Sequence, residues 1–452
     1  MDTAVGSLET FEVDPELARS LLTEDSFTPA QPQSLQEVGI SSAFVESLLC
    51  KHLSILGAAS GRSLSDHLCL PFSVLDKLFD SLRVRKLVQH AGTAPFNDYY
   101  YSLTEQGQNR VEGLLRECGY IGPAPVQLSE YVVSVKAQSI GHEAPDRERL
   151  AEACSGISVD PKLFDSLGPA INSGGGMFLY GAPGNGKSTL AKHIISCFGQ
   201  TIWIPHALIE DGQIIKLYDP QFHKQIPADE EGPLRTREID RRWVKIHRPT
   251  VVVGGELTLD NLELRHNPTS KISEAPLQLK SNCGCLLIDD FGRQRISPVD
   301  LLNRWIVPLE SHIDFLTLPS GKKIQVPFEQ LVIFSTNLRP DDLVDEAFLR
   351  RIPYKIKTTD PSDEEFYYLF KLYCDSYECE YRKDVITYLL DRHYRREGRA
   401  KRRCHPRDLL SQVRNYCRYR GLPIELRPEY FDIAVNSYFA TVLTTTSDAC
   451  VP

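Results

Sequence analysis

One short segment restricts the fold of this chain more than any other. MFLYGAPGNGKSTLAKHII begins at Met177 with an apolar run, passes through a glycine-rich turn and ends in a helical pattern. Gly181, Ala182, Pro183, Gly184, Asn185, Gly186, Lys187 and Ser188 set the spacing G-x-x-x-x-G-K-S, with Thr189 next. Strand, loop and helix in that order make a phosphate cradle. The glycines let successive N–H groups point inward, and the helix N-terminus adds partial positive charge. Lys187 is expected to reach the β- and γ-phosphate oxygens, and Ser188 to place its hydroxyl on Mg2+.

A second apolar run, Cys285-Leu-Leu-Ile, ends in Asp289 and Asp290. Uninterrupted apolar residues suit a strand buried on both faces. In a parallel sheet, ligands gather beyond the carboxyl ends of the strands. Asp289 is therefore a candidate Mg2+ ligand, directly or through water. Asp290 is a candidate to orient or deprotonate an attacking water.

The chain has 452 residues, enough for several domains with full cores. Its net charge of -9 excludes a protein that is basic overall, so any nucleic acid must meet a local patch. Twelve scattered cysteines with no CxxC pair do not make a zinc knuckle or a disulfide scaffold. They fit reduced structural thiols in a cytosol. No apolar run has the length of a membrane helix. The acidic start, MDTAVGSLETFEVDPE, has no positive n-region of a signal peptide. A soluble, cytoplasmic protein without membrane insertion is expected.

Five regions follow from composition and periodicity. Residues 1–35 read as an acidic disordered tail. Residues 36–122 read as three helices and two strands around the turn TAPFND, closed by the helix in LTEQGQNRVEGLL. That pattern resembles a winged-helix domain, and LTEQGQNR is typical of that family. The region holds eight Lys/Arg and nine Asp/Glu, so the basic face of a DNA reader is not evident. The break GPAPVQLSEY opens a neck over 123–168. Residues 169–358 form the nucleotide-binding unit and 359–452 a helical lid. Within the lid, Arg392, Arg395, Arg396, Arg399, Lys401, Arg402 and Arg403 form a basic run. It suits nucleic acid, an acidic partner or a solvated rim between subunits.

The phosphate loop, the Asp289–Asp290 strand and the later run LVIFSTN together resemble an AAA+ ATPase over roughly residues 165–440. The resemblance implies an α/β nucleotide domain, a parallel sheet between helices, with a C-terminal helical lid and the N-terminal winged-helix-like domain. It implies ATP and Mg2+ as ligands, and hydrolysis of ATP to ADP and phosphate. Asn337 matches the sensor position that touches the γ-phosphate or the water. Arg351, or else Arg350, in DEAFLRRIPYKI matches the segment carrying an arginine finger for a neighbouring subunit. Arg407 in HPRDLL matches the lid arginine aimed at the phosphates. Many family members carry Asp-Glu where this chain has Asp289-Asp290; the shorter second carboxylate bears on water positioning and rate, while other members with Asp-Asp hydrolyse ATP, so hydrolysis is still expected.

The long stretch between Lys187 and Asp289 resembles the helix-2-insert branch, with GELTLDNLELR read as strand. FLTLPSGKKIQVPF reads as a hairpin similar to that branch's pre-sensor-1 hairpin. MoxR-like ATPases belong to this branch, in which such elements face a central channel or a partner. Three functions stand open on these grounds. The first is a ring, hexameric by family analogy, that remodels a protein client. The second is a DNA-associated loader, transposition regulator or transcription regulator. The third is an ATP-gated scaffold with slow turnover.

Overall fold

The structure, a computed structural model, describes residues 22–23, 26–157, 159–199, 201–227 and 239–439. Most of the tail expected over 1–35 lies outside them.

The fold is α/β, with a five-stranded parallel sheet between helices. Its order is Thr250–Val253, Cys285–Ile288, Leu331–Thr336, Gly176–Gly181 and Tyr354–Thr358. Alternate side chains enter opposite cores, as the pleat requires. Met177, Leu179, Leu287 and Ile333 pack with Leu167 and Ala170 of helix Pro161–Asn172 and with Leu190 and Ile194 behind the glycine-rich loop. Phe178, Leu286, Ile288 and Phe334 pack against Leu301, Trp305 and Ile352. Both faces are covered, which explains why these strands read as continuous apolar runs. The last strand leads into the helices Asp363–Ser376, Lys383–Leu389, His405–Arg420 and Pro428–Tyr438, which share a separate core. Ser362 and Glu365 close a capping box at the start of that unit.

The stretch expected as a neck is folded into the cores around it. Seven residues of the ten-residue helix Leu128–Ala137 are buried. Its Tyr131 donates to the Leu279 carbonyl and accepts from Asn282 Nδ2. Leu150 and Leu167 already belong to the core of the parallel sheet. The insertion is also more than surface loops. Ile202, Ile204, Leu208, Ile215, Val244 and Ile246 bury themselves with Leu128, Val132 and Val135 of that helix. The hairpin Ile313–Thr317/Lys323–Pro327 adds Leu316, Ile324 and Val326 to the same core. Its apolar face is therefore spoken for, unlike that of a free channel loop. At its tip Lys322 lies 3.7 Å from both Glu210 and Asp211, so two hairpin tips meet.

GELTLDNLELR departs from the strand reading. Thr258 caps a 3-10 turn over Leu259–Leu262, and Asn261 Oδ1 accepts from the Thr258 N–H at 2.9 Å. Local side-chain capping wins over alternation there. Of this run only its last residue, Arg265, enters a strand, Arg265–Asn267.

The N-terminal unit has helices Ser42–Leu56, Gly61–Leu68, Phe72–Val84 and Glu105–Glu117. They back an antiparallel sheet of Ala58–Ser60, Asp98–Leu103 and Val88–Ala94. The boundary near residue 122 does not separate cores. Ala207 and Ile214 of the insertion lie in the N-terminal core, and Val126–Gln127 pairs with Leu208–Ile209. Among the described residues, no helix is long and apolar enough to cross a membrane.

One buried charge cluster joins these parts. Arg242 is 1% exposed and donates to Asp240, at 2.9 Å from Nε, and to the Val38 carbonyl at 2.8 Å. Glu130 stands 3.6 Å from the same guanidinium. One cation serves two carboxylates, and Asp240 holds the closer pair. Burial pushes the Glu130 carboxyl up to about 7, with Arg242 opposing. The unfolded chain releases this proton near the ordinary carboxylate value, whereas the folded chain keeps it to near neutrality. The stability that Glu130 contributes below pH 4.5 is therefore lost as pH rises to about 7, to the extent of roughly 3 kcal/mol. Glu130→Gln should remove that loss. Urea or thermal unfolding at pH 5 and pH 8 should show a smaller pH difference for the variant than for wild type, and an unchanged difference would contradict it.

Candidate nucleotide site

The glycine-rich loop closes on itself through backbone and lysine. A Cβ on Gly181, whose φ is 142°, would stand 2.5 Å from the Thr358 carbonyl oxygen. The loop strand and the last strand can approach so closely only at a glycine. Gly186 caps the eight-residue helix Lys187–Ile194. Lys187 is 7% exposed. Its Nζ donates to the carbonyls of Gly181 and Ala182, at 3.0 and 3.1 Å, and to Asn337 Oδ1 at 2.7 Å. Burial lowers its pKa, and the charges of Asp289 and Asp290 oppose that shift.

The second half of the site lies on the neighbouring strand ends. Ser188 Oγ donates to Asp289 Oδ2 at 2.7 Å. Asp290 has φ 51°, a left-handed conformation for a non-glycine residue, and its Oδ1 accepts from Asn337 Nδ2 at 3.2 Å. Asn337 thus touches both the lysine and the second carboxylate. Gln294 fixes the strained turn: its Nε2 donates to the Asp289 carbonyl and its Oε1 accepts from the Gly292 N–H, both at 2.8 Å. Thr336 Oγ1 adds a 2.8 Å bond to the Phe291 carbonyl. Sequence reasoning did not single out Gln294 or Thr336: Gln294 follows the acidic strand, Thr336 sits inside LVIFSTN, and only the folded turn gives their side chains a task.

A cleft of about 480 Å3 opens over these groups. Pro183, Gly184, Asn185, Gly186, Lys187, Ser188 and Thr189 line it, while Gly181 and Ala182 sit behind, on the lysine. Asp289, Asp290, Arg293, Asn337, Arg403 and Arg407 add its charged and polar lining. Ile157, Val159, Leu163, Leu369, Leu372 and Tyr373 supply its apolar lining. The cleft therefore offers apolar walls to a flat ring and cations with amides to phosphates. Ser188 Oγ and the Asp289 carboxylate are hard oxygen donors beside the phosphate loop. They fit Mg2+, which takes one or two carboxylates and completes its shell with phosphates and water.

The arginines divide. Arg407 lines the cleft, with Nε 2.9 Å from Asp408 Oδ1. Arg351 and Arg350 end the helix Glu346–Arg351 and do not line the cleft of their own chain. Arg351 Nε lies 2.6 Å from Glu310 Oε1, and Arg350 is exposed. The basic run of the lid is largely neutralised within the lid. Arg395 and Lys401 pair with Asp363, Arg402 with Asp360, Arg403 with Glu365 and Arg399 with Glu397. Arg392 lies 3.8 Å from Asp432, and Arg396 is exposed.

Comparison with known proteins adds the following. Residues 362–437, in the lid, match a family described as a domain of unknown function (DUF8689). An uncharacterized protein of Acidianus two-tailed virus, ORF529, is 28% identical over 238 residues, which cover 51% of this chain and 36% of that protein. The match thus spans about a third of the viral protein's length. Among solved structures, NtrX from Brucella abortus is similar over 65% of this chain and 58% of its own, at 12% identity and a TM-score of 0.39. A RuvB mutant from Thermotoga maritima is similar over 66% and 72%, at 14% identity and a TM-score of 0.35.

Proposed function

We propose that this chain is a Mg2+-dependent ATPase of AAA+ type, and that it works as a ring-forming machine on a protein client. The observation that carries the reading is the hydrogen-bonded array of Lys187, Asn337, Asp290, Asp289 and Ser188 at the carboxyl edge of the parallel sheet. Each member has a role in phosphoryl transfer to water. Loop amides and the helix N-terminus hold the phosphates. Lys187 exchanges its carbonyl and Asn337 contacts for β- and γ-phosphate oxygens. Ser188 and Asp289 would hold Mg2+, which when bound would supply positive charge against the phosphate oxygens. Asn337, released from the lysine, hydrogen-bonds the γ-phosphate or the water. Asp290 accepts a hydrogen bond from that water and aims its oxygen at the γ-phosphorus. A bond forms from water to phosphorus, the bond to the bridging oxygen breaks, and the water's proton leaves through Asp290 or the released phosphate.

The charge that builds on the transferred group calls for an arginine. Arg407 approaches from the lid of the same chain. Arg351 lies outside its own cleft and suits the cleft of a neighbour, which makes turnover depend on assembly. The preference for a protein client over nucleic acid rests on the internal pairing of most of the lid's basic run, since carboxylates beside those cations offset the positive potential that a phosphate backbone would meet.

Two experiments test the reading. Lys187→Ala should weaken binding of a fluorescent ATP analogue by roughly tenfold or more, because a charge-assisted contact is lost, and should abolish phosphate release. Wild-type turnover in that variant would overturn the site. Mixing Arg351→Ala with Asp289→Ala chains should recover part of the hydrolysis that neither variant shows alone. If mixed assemblies form and stay inactive, another arginine serves the neighbour.

A further inference from the structure

The lid touches the phosphate loop directly, and the contacts involve atoms that set the loop's shape. The Cys404 N–H donates to the Gly184 carbonyl at 2.9 Å. Asn185, 4% exposed, donates from Nδ2 to Asp360 Oδ1 at 2.7 Å, and its Oδ1 accepts from the Arg403 N–H at 3.3 Å. Arg402 Nη1 lies 2.5 Å from the other Asp360 oxygen. A Cβ on Gly184, whose φ is 80°, would stand 2.5 Å from Cys404 Sγ. Asp360 sits between the last strand, Tyr354–Thr358, and the first lid helix, Asp363–Ser376, where the sheet hands over to the lid. Loop, hinge and lid therefore meet at one side chain.

We propose that Asn185 is a positioning residue that couples the phosphate loop to the lid. In a trans peptide the C=O and the following N–H point in opposite directions. Holding the Gly184 carbonyl on Cys404 turns the Asn185 N–H away from the lid segment, the orientation an anion cradle needs. The docked lid thus preorganises one phosphate donor. By reciprocity, a phosphate that fixes this peptide plane favours the docked lid by the same free energy. Asn185 locks the relation, because its amide serves hinge and lid at once. This inference rests on the nucleotide reading of the cleft only for its ligand; the latch itself exists without one.

Hydrogen exchange at Arg403 and Cys404, with and without Mg-ATPγS, reads the latch. Binding of a fluorescent ADP analogue reads its effect. In wild type both amides should be protected without nucleotide, and more so with it. Asn185→Asp faces two carboxylates at each other, and should lose protection and weaken binding about tenfold, within the usual range of coupling between sites. The double variant Asn185→Asp/Asp360→Asn reverses the polarity of the bond and should restore both. Arg402→Ala, a milder change at the same hinge, should shift both readouts in the same direction by less. Full protection in Asn185→Asp, or failure of the double variant to recover while Arg402→Ala stays like wild type, would overturn the coupling. Protection that follows these variants in a chain that binds no nucleotide would keep the latch and sink the ATPase reading instead.

Discussion

A buried ammonium group organises the centre of this molecule. Lys187 has three N–H donors and is only 7% exposed, so each donor needs an acceptor. Two come from carbonyls of its own loop and the third from Asn337 on the adjacent strand. That last bond ties the loop to the strand end, and Asn337 in turn reaches Asp290. The acceptors are all neutral, so the lysine's charge is left uncompensated at short range. Asp289 and Asp290 oppose the cost of burial only from a distance. A site in this state favours an anion, since phosphate oxygens would replace neutral dipoles with opposite charge.

The parts of the chain are less modular than their sequence order suggests. The N-terminal helices share apolar residues with the insertion, and the insertion shares them with both the helix Leu128–Ala137 and the late hairpin. Segments nearly two hundred residues apart thus complete one core. The buried Arg242 draws acceptors from Val38, Asp240 and Glu130, which belong to different stretches of the chain. A rotation of the N-terminal unit as a free domain would have to break this cluster and strand its charges, an unfavourable event in a dry interior. Movement is more readily accommodated between the parallel sheet and the lid, whose cores are separate.

Legibility in the sequence followed the range of the interactions. The glycine-rich loop and the Asp289–Asp290 strand were readable because their chemistry is local. A turn, a helix start and an apolar run specify themselves within a few residues. The helices of the N-terminal unit and the lid were readable for the same reason. The core role of the helix Leu128–Ala137 was hidden because a Pro/Gly break precedes it and its partners lie in the insertion. GELTLDNLELR misled because alternation in so short a run competes with a Thr–Asn cap. The pairing of the lid's basic run was not legible because most of its partners, Asp360, Asp363 and Glu365, stand far from their arginines in sequence. Gln294 and the side chain of Asn185 were invisible as site-shaping groups, since nothing but tertiary geometry gives them a task.

The pairing of lid charges bears on how the cleft would meet a phosphate. Arg403 and Arg407 line it, yet each already rests on a carboxylate, Glu365 or Asp408. An arginine held in place by such a partner keeps its geometry without reorganising when an anion arrives. Its fork can also serve a second acceptor while retaining the first. Glu365 has a further duty in the capping box with Ser362. The start of the first lid helix, the arginine on the cleft and the hinge at Asp360 are therefore physically continuous. Charge arriving in the cleft acts on a connected set of groups rather than on isolated side chains, and the lid is the unit to which that set belongs.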